Sequence, residues 1–597
     1  MANYKINNLY QGGYSTFDSD YGSVFTGYRT AAGSLSMTTD PRTADIVTDI
    51  RNKIAPGLKN VEVTMVSPEL FESVPQQHLK EVNRLAKLTG VDITVHGPLI
   101  EASGISREGF SEANREAAER QMNLAVERSY EMNPNGNFPV TFHSSAILPG
   151  PEMMKDEEGN IAIKKALVIN KETGQINAAK EETKYYPYPE GIKIDGSPYS
   201  LEKGSTLTIK KEINAMNNSE WENSIAHAIS QKIVADRLID ENYPLVREVL
   251  PAIQKGEMDL RKHPELAHAY NKIINAQTQL DNVRLEAQSL FNKAYKYGSD
   301  ENKKVLKEIA NSLGQGLMIN DPKVQSETLQ KMLNVLNNGH GEHQFQPEVY
   351  QLLDDFSRDK STTTFANVAL NSYKKFKDKA PIVSVENPPV GTAFATGEDL
   401  KKIIEESRKK FVKTAVDKGV MSEKEAKKQA ERLLGVTWDV GHINMMRKHG
   451  FESEDIIKQS KAVAPFVKHV HLSDNFGFEH TELPMGMGNV PLKEIMEKLG
   501  KKGFEAKKVI EAAQWWQHFK TSPFKESIHS MSSPIYSMKM PYWNQSIGLQ
   551  QDYLGGYGEI FPPVSFETFG ASFSGLPKEL GGQRQGGGSR LTGRSME

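Results

Sequence analysis

GVTWDVGH (residues 435–442), VKHVHLSDN (467–475) and EHTELPMGMGN (479–489) follow one another closely in a chain of 597 residues. Together they carry Asp439, His442, His471, Asp474, His480 and Glu482. The first two begin as short β-prone runs and end in side chains able to bind a cation. A strand that presents reactive groups at its C-terminal end is the repeating unit of a parallel barrel. The fold therefore turns on whether the rest of the chain repeats it.

It does. GSLSM (33–37), VEVTMV (61–66), VDITVH (91–96) and FPVTFH (138–143) come earlier, PIVSVE (381–386) precedes the opening stretch, and KKVIE (507–511) follows it. Between them lie segments with apolar residues three and four apart, such as SEANREAAERQMNLAVERSYEM (111–132) and TTFANVALNSYKKFKDK (363–379), which predict amphipathic helices. Eight strands alternating with helices predict an α/β chain folded as a (β/α)8 barrel of roughly 300 residues. An open doubly wound sheet is the alternative, but no GxGxxG stands at a strand-to-helix turn.

The alternation is broken after the fourth strand by a stretch far too long for a loop, so the barrel is read as interrupted by a large, mostly helical insertion. IAIKKALVINKETGQINAAK (161–180) predicts a β-hairpin turning at Glu172-Thr173-Gly174, followed by a Tyr/Pro/Gly-rich connector. Residues 223–239, 263–296, 302–314 and 348–358 show helical periodicity. The expected organisation is a first barrel half with an N-terminal arm (1–150), the inserted domain (151–360), the second barrel half (361–530) and a Gly- and aromatic-rich extension (531–597) with a disordered end. An insertion after strand four leaves the chain on the face where barrel ligands converge, which suits a lid; a partner-binding module is the competing reading.

Composition narrows the chemistry. Lys+Arg number 73 against Asp+Glu 76, so the molecule is not a polycation that coats nucleic acid, and the insertion's helices carry no basic stripe. Cysteine is absent, which removes disulfides and leaves imidazole and carboxylate as metal ligands. No run of about eighteen apolar residues and no leader-like start are present, so no membrane role and a cytoplasmic location are expected.

The strand ends are not random. Strand three ends in His96, strand four in His143, strand five in Glu386, strand six in Asp439 with His442 close behind, strand seven in His471 and strand eight in Glu511. A lone buried histidine or solvated carboxylate is ordinarily structural, but six successive strands ending this way point to a shared site. Carboxylates crowded in a barrel mouth repel one another, and bound cations compensate them. His469 falls on the same strand face one layer deeper and reads as core. His340 and His343 read as a solvated loop. Asp474 reads equally as a partner orienting a ligand or as a loop cap, and Trp515 and Trp516 as rim packing or a stacking platform.

The order VHGP, TFHSS, VENPP, WDVGH, HLSDN, GMGN and VIE resembles the xylose isomerase-like barrel superfamily, and within it the endonuclease IV family of metal-dependent apurinic/apyrimidinic endonucleases. The resemblance covers 32–150 and 361–515. It implies one metal on His96, His143 and Glu386, with Glu386 bridging to a second on Asp439, His471 and Glu511. A third would use His442 with His480 and Glu482. The chain departs from the family there, since His480-Thr481-Glu482 stands where the family has Asp-x-His. Imidazole and carboxylate donors suit divalent zinc first and manganese second, up to three ions.

Two enzyme readings follow, with Glu386 and Glu511 as the catalytic residues. In the first, clustered cations acidify a bridging water and the hydroxide attacks a phosphodiester, as at an abasic site in DNA. In the second, the four ligands Glu386, Asp439, His471 and Glu511 hold one metal that polarises a small sugar for isomerisation or epimerisation. The surplus of ligands favours the hydrolase. A decayed, non-catalytic barrel is the third class, opposed by the intact ligand set. No residue identifies a partner for the insertion.

Overall fold

The computed structural model describes residues 35–512 except 42, 44, 55–57, 66, 156–160, 185–204, 256 and 320, together with 515, 523, 524 and 527. The eight apolar runs become β1 Leu35–Thr38, β2 Asn60–Thr64, β3 Asp92–His96, β4 Pro139–His143, β5 Ile382–Glu386, β6 Leu434–Asp439, β7 Val467–Leu472 and β8 Lys507–Ile510. Each pairs in parallel with its neighbours, and β8 pairs with β1, so the sheet closes into the expected (β/α)8 barrel. The N-terminal arm, the connector at 185–204 and the extension at 531–597 lie outside the described residues.

Side chains alternate across each strand, which sorts them into two populations. Val63, Val95, Phe142, Val385, Trp438 and Val470 share one parity and are fully buried. Trp438 identifies their direction, because its Nε1 donates to Ser460 Oγ, 3.1 Å away, on the surrounding helix Ser453–Val463. Each such residue contributes roughly 1.5–3 kcal/mol by leaving water, and together they bind the helices to the barrel. The helices begin and end where local chemistry dictates. Thr396 and Asp399 form a capping box at the start of Gly397–Asp417, and Gly90, at φ 67°, terminates Gln76–Thr89 in the left-handed conformation glycine tolerates.

The other parity faces the barrel axis and is polar over two layers. The upper layer holds the strand-end residues His96, His143, Glu386, Asp439 and His471, with Glu511 just beyond β8. Two residues earlier come Thr94, Thr141, Ser384, Thr437 and His469, all fully buried, joined by Glu62 from β2. Branched aliphatic residues ordinarily dominate this interior. Here Thr437 Oγ1 donates to Ser384 Oγ at 2.7 Å, and Thr437 and Thr141 share a hydroxyl hydrogen bond of 2.9 Å.

Residues Lys165–Leu353 form a second compact unit. The hairpin pairs Ile161–Asn170 with Ile176–Lys180, and Gly174 takes φ 73° in its turn. Helices Ile209–Val246, Pro264–Tyr297, Asp300–Met318 and Pro322–Asn338 surround a core that includes Trp221, Ile273, Leu280, Val283 and Leu333. Two sequence expectations change here. EVYQLLDDFSR (348–358) is not one helix: Tyr350–Leu352 pairs antiparallel with Ile161–Asn170 before the helix Leu353–Phe376 begins. Asn217 recruits it into the sheet, accepting from Tyr350 N at 2.7 Å and donating to Tyr350 O at 3.1 Å. Helix Pro322–Asn338 was also unanticipated, although Asp321 capping it and Pro322 at its first turn are ordinary start signals. No helix among the described residues is long and apolar enough to cross a membrane.

Candidate metal centre

Nine side chains stand out in the sequence, and the barrel gathers most of them at its C-terminal end. Glu386 is at the centre and fully buried. Its Oε2 lies 3.0 Å from His96 Nε2 and 3.4 Å from His143 Nε2, whereas its Oε1 lies 2.8 Å from His471 Nδ1. Glu511 Oε1 stands 3.2 Å from the same His471 nitrogen. The donor atoms of His96, His143 and Glu386 all fall within 4.8 Å of one another, and so do those of Glu386, Asp439, His471 and Glu511. These are the two groups that the family resemblance implies as ligand sets, and they share one carboxylate. Imidazole nitrogen and carboxylate oxygen at this spacing fit a divalent cation of the zinc or manganese type.

His442, His480 and Glu482 meet in a chain and not in a closed triad. His442 Nε2 is 2.8 Å from His480 Nε2, and His480 Nε2 is 3.6 Å from Glu482 Oε1. Among the described residues they do not form a group at the spacing of the two sets above. Glu482 adopts φ 44°, a left-handed backbone that a non-glycine residue rarely takes and that recurs at ligand-holding turns.

Local chemistry fixes each group. Asp439 is the N-cap of the short helix Val440–Asn444, and its Oδ1 accepts from His442 N at 2.7 Å, so the DVGH spacing sets both residues at once. Asn387, directly after Glu386, bridges to the next strand: its Oδ1 accepts from Asp439 N and its Nδ2 donates to Asp439 O, both at 2.9 Å. A carbonyl can only accept, so His442 Nδ1, 2.7 Å from Asn387 O, carries a proton, as does His96 Nδ1, 2.9 Å from Gly97 O. Both rings thereby turn Nε2 toward the site. Asp474 resolves as the loop cap: its carboxylate accepts from the backbone N–H groups of Asn475, Gly486 and Val490 at 2.9–3.1 Å, holding the segment that carries His480 and Glu482. Phe476 and Phe478 are exposed on the same loop.

The charges are strongly coupled. Burial opposes ionisation of Glu386, but His471 and His143 outweigh it and hold the carboxyl well below its ordinary range. Burial, with the Glu511 and Glu386 carboxylates, pushes Asp439 up to about 7 against the pull of His442. His96, disfavoured by burial but bonded to Glu386, rises to about 9. Burial lowers His143 to about 4, and burial with His442 lowers His480 to about 3. Asp439 and His96 are raised beside carboxylates, which favours positive charge there, whereas burial keeps His143 and His480 neutral.

Glu62 is the residue the sequence reading missed. It is fully buried on β2, with Oε2 2.8 Å from His469 Nε2 and Oε1 3.1 Å from His471 Nε2. Its signal was a charged residue inside the apolar run VEVTMV, at the parity that faces the axis. His469 is buried one layer deeper, as expected. His340 and His343, which belong to the second unit, are paired by backbone hydrogen bonds in their turn. Trp515 is half-buried, and Trp516 lies outside the described residues.

The match to a family model agrees with the fold of the barrel's second half. Residues 376–531 match the family model for the xylose isomerase-like TIM barrel. A segment of 78 residues, 13% of this chain, is 31% identical to an uncharacterized protein of Methanocaldococcus jannaschii and spans 25% of that protein's length. The solved structure of a D-tagatose 3-epimerase-like protein aligns over 83% of this chain and 98% of its own, at 11% identity and a TM-score of 0.35.

Proposed function

From a barrel whose second half matches the family model of the xylose isomerase-like TIM barrel, we propose a metal-dependent phosphoester hydrolase resembling endonuclease IV, with DNA containing abasic sites as its substrate. One observation carries this reading: the two oxygens of Glu386 face two different ligand sets, His96 and His143 on one side and His471 on the other. A carboxylate shared by two donor groups would serve two cations, and a one-metal enzyme has no need of the first set. His96, His143 and Glu386 would hold one ion, and Glu386, Asp439, His471 and Glu511 the other, with His442, His480 and Glu482 as candidates for a third.

Bound divalent ions would supply Lewis-acid charge opposite the negative charge that develops as a phosphodiester is cleaved. The chain's own residues supply the rest. His96 and His442 direct Nε2 to the site because their Nδ1 protons are committed to backbone carbonyls. Glu511, at the edge of the cluster with 14% of its side chain exposed, is positioned to take a proton from an attacking water. Phe476 and Phe478 offer exposed rings on which a base or sugar can stack.

A second reading, a sugar or sugar-phosphate isomerase or epimerase, is supported by the completeness of the Glu386, Asp439, His471 and Glu511 set, which closes without the other histidines. The deciding experiment is metal analysis of the purified protein beside an incision assay on abasic-site duplex DNA. Two or three bound metals with cleavage at the lesion support the hydrolase. One metal, intact DNA and exchange of solvent hydrogen into a ketose would overturn it in favour of the isomerase.

A further inference from the structure

Beneath the ligand layer, Glu62 faces upward to His471 with a carboxylate whose two oxygens have separate tasks. Oε2 is saturated from the side and below: it accepts from Thr94 Oγ1 at 3.0 Å and from His469 Nε2 at 2.8 Å. Oε1 is 3.1 Å from His471 Nε2, an ion-pair contact, and among the described residues neither of these two buried atoms makes a hydrogen bond. We propose that Glu62 is a positioning residue that selects which nitrogen of His471 is available to a metal. The inference rests on the metal-centre reading above.

The argument follows from donor and acceptor identity. An ionised carboxylate only accepts, so the nitrogen facing it at contact distance carries the proton. His471 faces carboxylates on both sides, so in the metal-free protein both nitrogens carry protons; when a cation takes the place of the Nδ1 proton, Glu62 keeps the other proton on Nε2. Nδ1 is the atom 2.8 Å from Glu386 Oε1 and 3.2 Å from Glu511 Oε1, where a ligand lone pair is needed. His96 and His442 reach the opposite tautomer, with the proton on Nδ1, because backbone carbonyls lie on that side. No carbonyl performs the task for His471, whose other side opens into the barrel interior, and a carboxylate takes its place. Thr94 and His469 immobilise Oε2, so the carboxylate cannot rotate away from Oε1's contact. A histidine held by a carboxylate is a better-oriented and more basic ligand, and loss of such a partner typically weakens metal binding about 10- to 100-fold.

Glu62→Gln tests this directly. Glutamine keeps the shape but has one acceptor atom. With that oxygen turned to His469 and Thr94, the amide N–H group opposes His471 Nε2 and drives the proton to Nδ1, the ligand position. The probe is Co2+ added to the full-length metal-free chain, read as affinity by chelator competition and as the visible absorption of the bound ion, with thermal unfolding of the metal-free protein as the control. The expected result is a folded variant that binds Co2+ about 10- to 100-fold more weakly, with a shifted absorption spectrum. A folded variant with wild-type affinity and spectrum overturns the proposal. Should Glu62→Gln not fold, Thr94→Val decides: it removes one donor to Oε2 and keeps the carboxylate, so a weakened and spectrally shifted Co2+ site supports the proposal and an unchanged one overturns it. Wild-type protein that takes up no Co2+ removes the metal-centre reading itself, an outcome separate from the failure of Glu62 alone.

Discussion

The Nε2 atoms of His442 and His480 lie 2.8 Å apart, too close for both to carry protons. His442 is raised, with burial outweighed by Asp439 and Glu386, and His480 is lowered to about 3 by burial and by His442, so in the metal-free protein any shared proton resides on His442. A cation placed between the two rings would replace that proton, with Glu482 3.6 Å from His480 as the adjoining carboxylate. The double variant His480→Ala/Glu482→Ala is expected to bind one metal fewer than wild type at saturation and to lose activity about 10- to 100-fold. Elemental analysis with a turnover assay checks this, and full activity in the double variant would show that no third ion takes part.

His143 separates the two enzyme readings. It contributes to the first ligand set and has no place in the second. His143→Ala should lose the ion that His96, His143 and Glu386 would hold while the tetrad keeps its own, and phosphodiester cleavage should fall about 100-fold or more, the scale of a lost preorganised electrostatic contact. Retained turnover on a sugar substrate with one metal bound would instead favour the isomerase.

Metal uptake should release protons. At pH 7 the metal-free His96, raised to about 9, is protonated, and Asp439, raised to about 7, is half so; neither can act as a full ligand until the proton leaves. Affinity is therefore expected to climb between pH 6 and 9, about tenfold per unit for each proton released. Titration calorimetry in buffers of different ionisation enthalpy counts those protons, and a pH-independent affinity would contradict the assignment.

The metal-free protein should also have a characteristic acid response. His143 is lowered to about 4 and His480 to about 3, below the ordinary 6.5, so their share of stability is present above 6.5 and is lost as pH falls through about 4 and about 3. Asp439 runs the other way: its share is complete below 3.8 and is lost as pH rises through about 7. Thermal melts of His143→Ala across pH 3–8 should show a shallower acid limb than wild type.

Gly441 is sterically required. A Cβ there would lie 2.1 Å from Ser473 Oγ, the group that donates to Asp439 Oδ1 at 3.2 Å. Gly441→Ala should destabilise the fold by about 1–3 kcal/mol and weaken metal binding through displacement of Asp439. Urea unfolding with and without metal measures both effects.

The barrel was legible because strand ends and apolar runs are local signals, repeated eight times with enough regularity to identify the parity facing the axis. His96, His143, Glu386, Asp439, His471 and Glu511 were readable for the same reason. Glu62 was not, since its partners His469 and His471 stand more than four hundred positions away and only closure of the sheet brings them together. The strand at Tyr350–Leu352 was hidden likewise, because the hydrogen bonds that make it a strand come from Asn170 and Asn217. The pairing of His442 with His480 depends on a loop conformation set by Asp474, which no periodicity encodes.

The hydroxyls of Thr141, Ser384 and Thr437 give the barrel a form of internal solvent. A hydroxyl can turn from donor to acceptor by rotation about one bond, with no heavy atom displaced. When charge above it changes, as ions arrive, leave or exchange with protons, these dipoles can reorient much as water does, whereas a floor of valine and isoleucine could not. The consequence is tolerance: the chain can carry a dense group of acids and imidazoles through a change of charge state on the same rigid scaffold.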